Sequence, residues 1–281
     1  MLVLTLLAVL AQAPGPRAFG AEPLLPTALD VQDLPFPPLH YALFSGQPFD
    51  GTMPWDQVIQ GRLGSCFFLS TLAAVAKTHP AFVARAIRRE DDGTYAVAFS
   101  SANGRRVVVR VNGRLPVTAA GELYFARGRD ARELRPALFE KAYAELSGGY
   151  ERINGGEPAD AFQALTGAAG RKHELSTRSE DEIWTLLGRA EKARRPVVAS
   201  TPDYEELRRA AGRDDLAGLI DDHTYVLLLR REKAGERRVR VYTPLSPGDA
   251  GYAKDGPRLL ELSLREFKKD FESITIGDVR E

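Results

Sequence analysis

Cys66 is the only cysteine in the 281-residue chain. It stands in the stretch QGRLGSCFFLSTLAAVA, residues 60–76, just behind a glycine and ahead of a long apolar run. Phe67, Phe68, Leu69, Leu72, Val75 and Ala76 recur at helical spacing, and Gly64-Ser65 supplies a start with Ser65 as N-cap. A thiol in the first turn of such a helix faces unpaired backbone N–H groups that carry roughly half a positive charge. That field favours thiolate, the nucleophilic form, over thiol. Gly64 leaves room for a substrate backbone. Gln60, six residues upstream, can donate a side-chain amide hydrogen bond. With the Cys66 backbone N–H it makes a pair of donors for an oxyanion. The same stretch also fits a plainer role, because a lone Cys beside Phe-Phe-Leu is often just a small buried hydrophobe.

A thiol nucleophile needs a base, and the chain has four histidines. His40 lies in a proline-rich lead-in, and His79 precedes a proline at a helix end. His173 follows Arg171-Lys172 in what reads as a polar loop. His223 opens the apolar strand TYVLLL after the acidic turn IDD, and a side chain at a strand mouth is held stiffly enough to be aimed into a cleft. Each histidine also fits a structural or solvated role. By position His223 is the best candidate, and its distance of 157 positions from Cys66 suits a nucleophile and base on different subdomains.

The elements that must position these groups follow from periodicity. Residues 14–54 are rich in Pro and Gly and read as an extended segment wrapped on the surface. The Cys66 helix ends near His79-Pro80, and a second helix covers Pro80 to Arg88. TYAVAF and RRVVVRV form a hairpin around Asn103-Gly104. Glu133 to Leu146 is an amphipathic helix, and Gly148-Gly149 with Gly155-Gly156 marks a hinge. Helices near Pro158–Leu165 and Asp181–Lys192 follow. Strands at 196–201, 224–229, 239–242 and 259–262 come next, with a last helix from Leu264 to Phe271. Helices dominate the first half and strands the second, which predicts an α+β molecule of two packed subdomains and not an alternating βαβ fold.

Composition sets outer bounds. Hydrophobic residues make up 44% and charged residues 27%, a balance that builds a sizeable core. Lys+Arg and Asp+Glu are equal at 38 each, so no net charge points to nucleic acid or an anionic membrane as partner. One Cys excludes an internal disulfide and a cysteine-rich metal cluster. The opening MLVLTLLAVLAQA has signal-peptide length but no Lys or Arg in its n-region, and it is too short to span a bilayer. The expectation is export to the periplasm or medium through a weak signal peptide, with a cytoplasmic location as the alternative.

Four stretches in one order carry a family resemblance. They are QGRLGSCFFLSTLAAVA, LRPALFEKAYAELSGGYERINGG followed by ALTG, DDHTYVLL, and LELSLREFKKDF. Together they resemble the protease core of the calpain family of papain-like cysteine endopeptidases, from about residue 30 onward. The resemblance implies a papain-like core with a cleft between an α-rich first half and an antiparallel β-rich second half. It divides the chain into a leader over 1–25, a nucleophile-bearing subdomain over 26–154 and a base-bearing subdomain over 155–281. It implies Cys66 as nucleophile, Gln60 in the oxyanion hole and His223 as general acid and base. The implied substrate is a protein or peptide bound in extended form.

The chain departs from the family pattern at informative places. Where the family has Asn-Pro-Trp-Gly, this sequence reads Thr243-Pro244-Leu245-Ser246. Thr243 therefore stands where an Asn carbonyl orients the imidazole, and Leu245 where an indole shields that bond. A Thr hydroxyl can accept the same bond but is shorter and not confined to accepting. Asp221 and Asp222 are alternative partners for the ring. Ser65 replaces an Asp beside the thiol and, as an N-cap, strengthens the helix start, while Phe67 replaces an indole or tyrosine. Glu140 matches a family Glu and fits equally a structural role as partner of a nearby Arg. Animal members carry calcium in each half of the core. Calcium wants six to eight oxygens, yet Gln57 falls where a carboxylate is expected and SPGDAGYAKDGPRL offers only Asp249 and Asp255. The expectation is a core that needs no calcium or other cofactor. Three readings follow: an active cysteine endopeptidase with Gln60, Cys66, His223 and Thr243 as its site, a pseudoprotease that binds polypeptide in the same cleft, or a structural thiol in an unrelated α+β fold.

Overall fold

A computed structural model describes residues 39–44, 49, 51–203, 219–233, 235–245 and 259–279. The proposed signal segment, most of the proline-rich lead-in and the loop with Asp249 and Asp255 lie outside the described residues.

The first part of the chain runs β1 (His40–Leu43), β2 (Val58–Ile59), α1 (Cys66–Thr78), α2 (Pro80–Ala86), β3 (Ile87–Arg89), β4 (Tyr95–Ser100), β5 (Arg106–Val111), β6 (Arg114–Val117), β7 (Arg127–Gly128) and α3 (Arg135–Ser147). Then come α4 (Pro158–Thr166), β8 (Arg171–Glu174), α5 (Glu180–Lys192), β9 (Val197–Ser200), β10 (Thr224–Lys233), β11 (Glu236–Tyr242), β12 (Leu259–Ser263), α6 (Leu264–Asp270) and β13 (Ser273–Ile276).

α1 is buried all round, from Phe67 to Ala76. Its sequence has no Gly or Pro to break it, and Pro80 begins α2 immediately after the His79 junction. The expected hairpin forms as β4 and β5, paired from Tyr95↔Val111 to Ser100↔Arg106, and β3 adds a third strand. α3 ends on Gly148 in the left-handed conformation, whose N–H reaches back to the Ala144 carbonyl. α5 and α6 each begin with a capping box, Ser179 with Glu182 and Ser263 with Glu266.

The largest sheet is six-stranded and antiparallel, in the order β12-β11-β10-β9-β13-β8. Alternation along its strands sorts side chains to two faces. Val198, Val226 and Leu228 face the core that holds α1, α3 and α4, while Ala199, Tyr225, Val239, Val241 and Ile274 face α5 and α6. The sheet is thus covered on both sides, with the Cys66 helix on one of them.

Several short strands escape the periodicity reading. β1 pairs β6 and β2 pairs β7, so the helical first half also holds small antiparallel ribbons. The second helix stops at Ala86, because Ile87–Arg89 pairs with β4 instead. His173 lies in β8, paired with Ile274, and not in a loop as its polar neighbours suggest. RKHE has no apolar alternation because β8 is an edge strand with exposed side chains.

Candidate active site

Cys66 is the first residue of α1, and His223 immediately precedes β10. Both line one cleft of about 480 Å³, together with Gln60, Gly155, Gly156 and Asp222. Helix and strand are fastened directly beneath it, where Ser70 Oγ donates to the Thr224 carbonyl at 2.6 Å.

The turn before Cys66 is tightly built. Gly64 N–H donates to Asn154 Oδ1 at 2.8 Å, and Gly155 N–H donates to the Gly64 carbonyl at 2.8 Å. A Cβ on Gly64 would sit 2.7 Å from that Asn154 oxygen, so the glycine makes room for Asn154 while it also lines the cleft. Ser65 occupies the N-cap position but makes no capping bond. Its hydroxyl instead donates to Glu140 Oε1 at 2.5 Å, and Glu140 Oε2 accepts from Ala126 N–H at 2.8 Å. Ser65 therefore does not cap the helix start through its side chain, and Glu140 has no arginine partner among the described residues. With its carboxyl fully buried, Glu140 is pushed up to about 7 by lost hydration, against the pull of those two donors.

Gln60 is buried, with its backbone N–H on the Pro244 carbonyl at 2.8 Å and its chain bridged in parallel to Leu245. Its side-chain Nε2 donates to the Leu63 carbonyl at 2.7 Å, which uses one of two amide hydrogens and leaves the other to serve a ligand. Its Oε1 is buried with no partner among the described residues.

The imidazole of His223 is held by Thr243, with 2.8 Å between Nε2 and Oγ1. Neither Asp221 nor Asp222 takes that place. The Thr243 oxygen also accepts from Leu245 N–H at 3.1 Å, which leaves it one lone pair for an Nε2–H. Tyr225 stands edge-on to the ring, centroids 5.0 Å apart. Burial alone lowers His223 to about 3. Burial also pushes the Cys66 thiol up, assisted by the charge of Asp222, against hydrogen bonds from Thr224 and the Phe67 backbone. The helix-start field that favours thiolate is opposed by desolvation, which raises the Cys66 thiol and lowers His223 and so favours their neutral forms. Sequence reasoning missed Thr224, whose backbone and hydroxyl hydrogen-bond the sulfur, and Asn154, which shapes the turn. Only their neighbours, His223 and the Gly-Gly pair, mark those positions in the chain.

Among the described residues no three His, Cys, Asp or Glu side chains come together to hold a metal ion. Gln57, at the place of the expected calcium carboxylate, turns its Oε1 to accept from Asp130 N–H at 2.8 Å. Gln57 therefore offers no carboxylate to a cation at that position, among the described residues. Among them no helix is long and apolar enough to cross a membrane.

Comparison with known proteins agrees with this geometry. The family described as "Calpain family cysteine protease" matches residues 45–246. The calpain-type cysteine protease ADL1 of Oryza sativa subsp. japonica is 31% identical over 211 residues, covering 71% of this chain and 9% of that protein. The calpain-type cysteine protease DEK1 of Arabidopsis thaliana is 31% identical over 205 residues, 70% of this chain and 9% of its own length. Human Calpain-12 is 33% identical over 218 residues, 75% of this chain and 29% of that protein. The chain thus spans about a tenth of the two plant relatives. The matched residues hold both walls of the cleft, and the chain belongs to the calpain family of cysteine proteases.

Proposed function

We propose that this protein is a cysteine endopeptidase acting on extended polypeptide within a papain-like two-subdomain core. The observation that carries the reading is a single cleft lined by Cys66 at a helix start and His223 at a strand mouth, with His223 Nε2 on Thr243. In this mechanism His223 takes the thiol proton as the sulfur attacks a peptide carbonyl carbon. The developing oxyanion receives the free Gln60 amide hydrogen and the Cys66 backbone N–H. The C–N bond breaks as His223 returns the proton to the leaving amine. Water, deprotonated by the same ring, then cleaves the thioester and releases the acid. Thr243 keeps the Nε2–H tautomer so that the other nitrogen is the base. A hydroxyl also satisfies the opposite tautomer, so this hold is looser than that of an amide carbonyl.

A second reading, a polypeptide-binding module, is favoured by the burial that works against the charged forms of both groups. One experiment separates them. Incubation with an unfolded protein, acid quench and intact-mass analysis will find an acyl adduct on Cys66 and new peptides if the protein is an endopeptidase. Substrate retained uncut, equally by wild type and Cys66→Ala, would establish the binding module.

A further inference from the structure

Glu140 lies in the middle of α3, is 1% exposed and forms no ion pair among the described residues. Its two oxygens lead to two different segments. Oε1 takes the Ser65 hydroxyl, and the Ser65 carbonyl accepts the first helical bonds of α1, from Phe68 N–H at 3.0 Å and Leu69 N–H at 2.9 Å. Holding Ser65 therefore fixes the direction of the Cys66 backbone N–H. Oε2 takes Ala126 N–H, at the end of the segment Tyr124-Phe125-Ala126. That segment lies directly under the Gln60 strand. The Tyr124 carbonyl accepts from Arg62 N–H at 3.1 Å, and a Cβ on Gly61 would fall 2.3 Å from the Phe125 carbonyl and 2.5 Å from that of Tyr124. One carboxyl thus reaches both segments from which oxyanion donors project.

We propose that Glu140 is the positioning residue of the oxyanion site, setting the distance between the Gln60 side-chain amide and the Cys66 backbone N–H. The proposal rests on the endopeptidase reading. Glu140 touches no substrate; it acts through Ser65 and Ala126. A buried carboxyl suits this work because each oxygen accepts a separate donor, and buried donors without acceptors are costly. Glutamine keeps both links, with its oxygen on Ala126 N–H and its NH₂ donating to Ser65 Oγ. Methionine fills the space and keeps neither.

The test compares wild type, Glu140→Met, Glu140→Gln and Ser65→Ala in three readouts. These are kcat and KM on a fluorogenic peptide, affinity for a peptide aldehyde whose adduct oxygen occupies the oxyanion site, and the rate of Cys66 alkylation by iodoacetamide, which forms no oxyanion. Glu140→Met is expected to lose about tenfold or more in kcat, since small misplacements of reacting groups cost up to about 10²-fold. KM should stay within about twofold. Aldehyde affinity should fall in step with kcat while alkylation holds. Glu140→Gln restores both, and Ser65→Ala, which keeps the Ala126 link, loses less. Should Glu140→Met not fold, the same split in Ser65→Ala decides. Equal losses in alkylation and hydrolysis, or no loss of aldehyde affinity in an active background, overturn the positioning role alone. A wild type that neither hydrolyses peptide nor captures the aldehyde overturns the endopeptidase reading and this proposal with it.

Discussion

Cys66 rises from a wall in which Ser65, Glu140, Ala126, Gly64 and Asn154 are joined by hydrogen bonds of 2.5–2.8 Å. His223 faces it with its ring on one hydroxyl, that of Thr243. The first wall is tied at several points, including two backbone N–H groups on side-chain oxygens; the second depends on one hydroxyl that can donate or accept. The contrast teaches where rate is expected to be limited. The nucleophile's geometry is over-determined, and the tautomer of the base is not.

The sharpest break of that comparison is at residue 243. Removing the hydroxyl in Thr243→Val should lower kcat by about 10–100-fold, less than the roughly 10⁴-fold seen when the orienting group of a serine triad is corrupted. Thr243→Asn should raise kcat above wild type, because an amide carbonyl only accepts. Steady-state kinetics on one peptide checks both, and a Thr243→Asn variant slower than wild type would show that the loose hold is not limiting.

Next in size is the pH dependence of thiol reactivity. Burial raises the Cys66 thiol and lowers His223 to about 3, which works against a thiolate–imidazolium pair in the free protein. Alkylation should be slow at neutral pH and climb about tenfold per pH unit until the raised thiol ionises. A plateau reached below pH 7 would mean that the cleft hydrates enough to support the ion pair.

The smallest effect is on stability. His223 stands at about 3 against 6.5, so the unfolded chain binds the extra proton and stability is lost as pH falls from 6.5 toward 3. Glu140 stands at about 7 against 4.5, so the native chain holds the extra proton and stability is lost as pH rises from 4.5 through 7. The two slopes oppose each other where they overlap. Glu140→Gln deletes the second, so its stability relative to wild type should grow across that window, by on the order of 3 kcal/mol. Denaturant titrations at several pH values would register it, and a constant difference would mean the carboxyl holds no proton.

Much of this was legible in the chain because packing leaves periodic traces. α1 carries its burial in apolar residues at helical spacing, and the β4–β5 hairpin shows in Asn103-Gly104. Gln60, Cys66 and His223 were nominated from local context and family pattern, and they line one cleft. What was not legible depends on distance along the chain. The Ser65–Glu140 link spans 75 positions and the Gly64–Asn154 link 90, and neither leaves a mark in either neighbourhood. Edge strand β8 and the four buried residues of β13 are too short or too polar to show a period. The opposing influences on the thiol divide in the same way. The helix field is a property of residues 64–67, while burial of the thiol, the charge of Asp222 and the hydrogen bonds from Thr224 depend on distant parts of the chain coming together.

The bond from Ser70 to Thr224 also joins positions 154 residues apart, and the core around α1 includes Val198, Val226 and Leu228 from the large sheet. During synthesis, at roughly 5–20 residues per second, α1 leaves the ribosome many seconds before the strands that cover it. For that interval α1 has α2, α3 and α4 as neighbours, but its sheet-facing side lacks Val198, Val226 and Leu228. Newly made chains should therefore depend on a holding chaperone until β10 emerges, and expression of the first 150 or so residues alone should yield aggregate, because the long-range pairing that completes the core is missing.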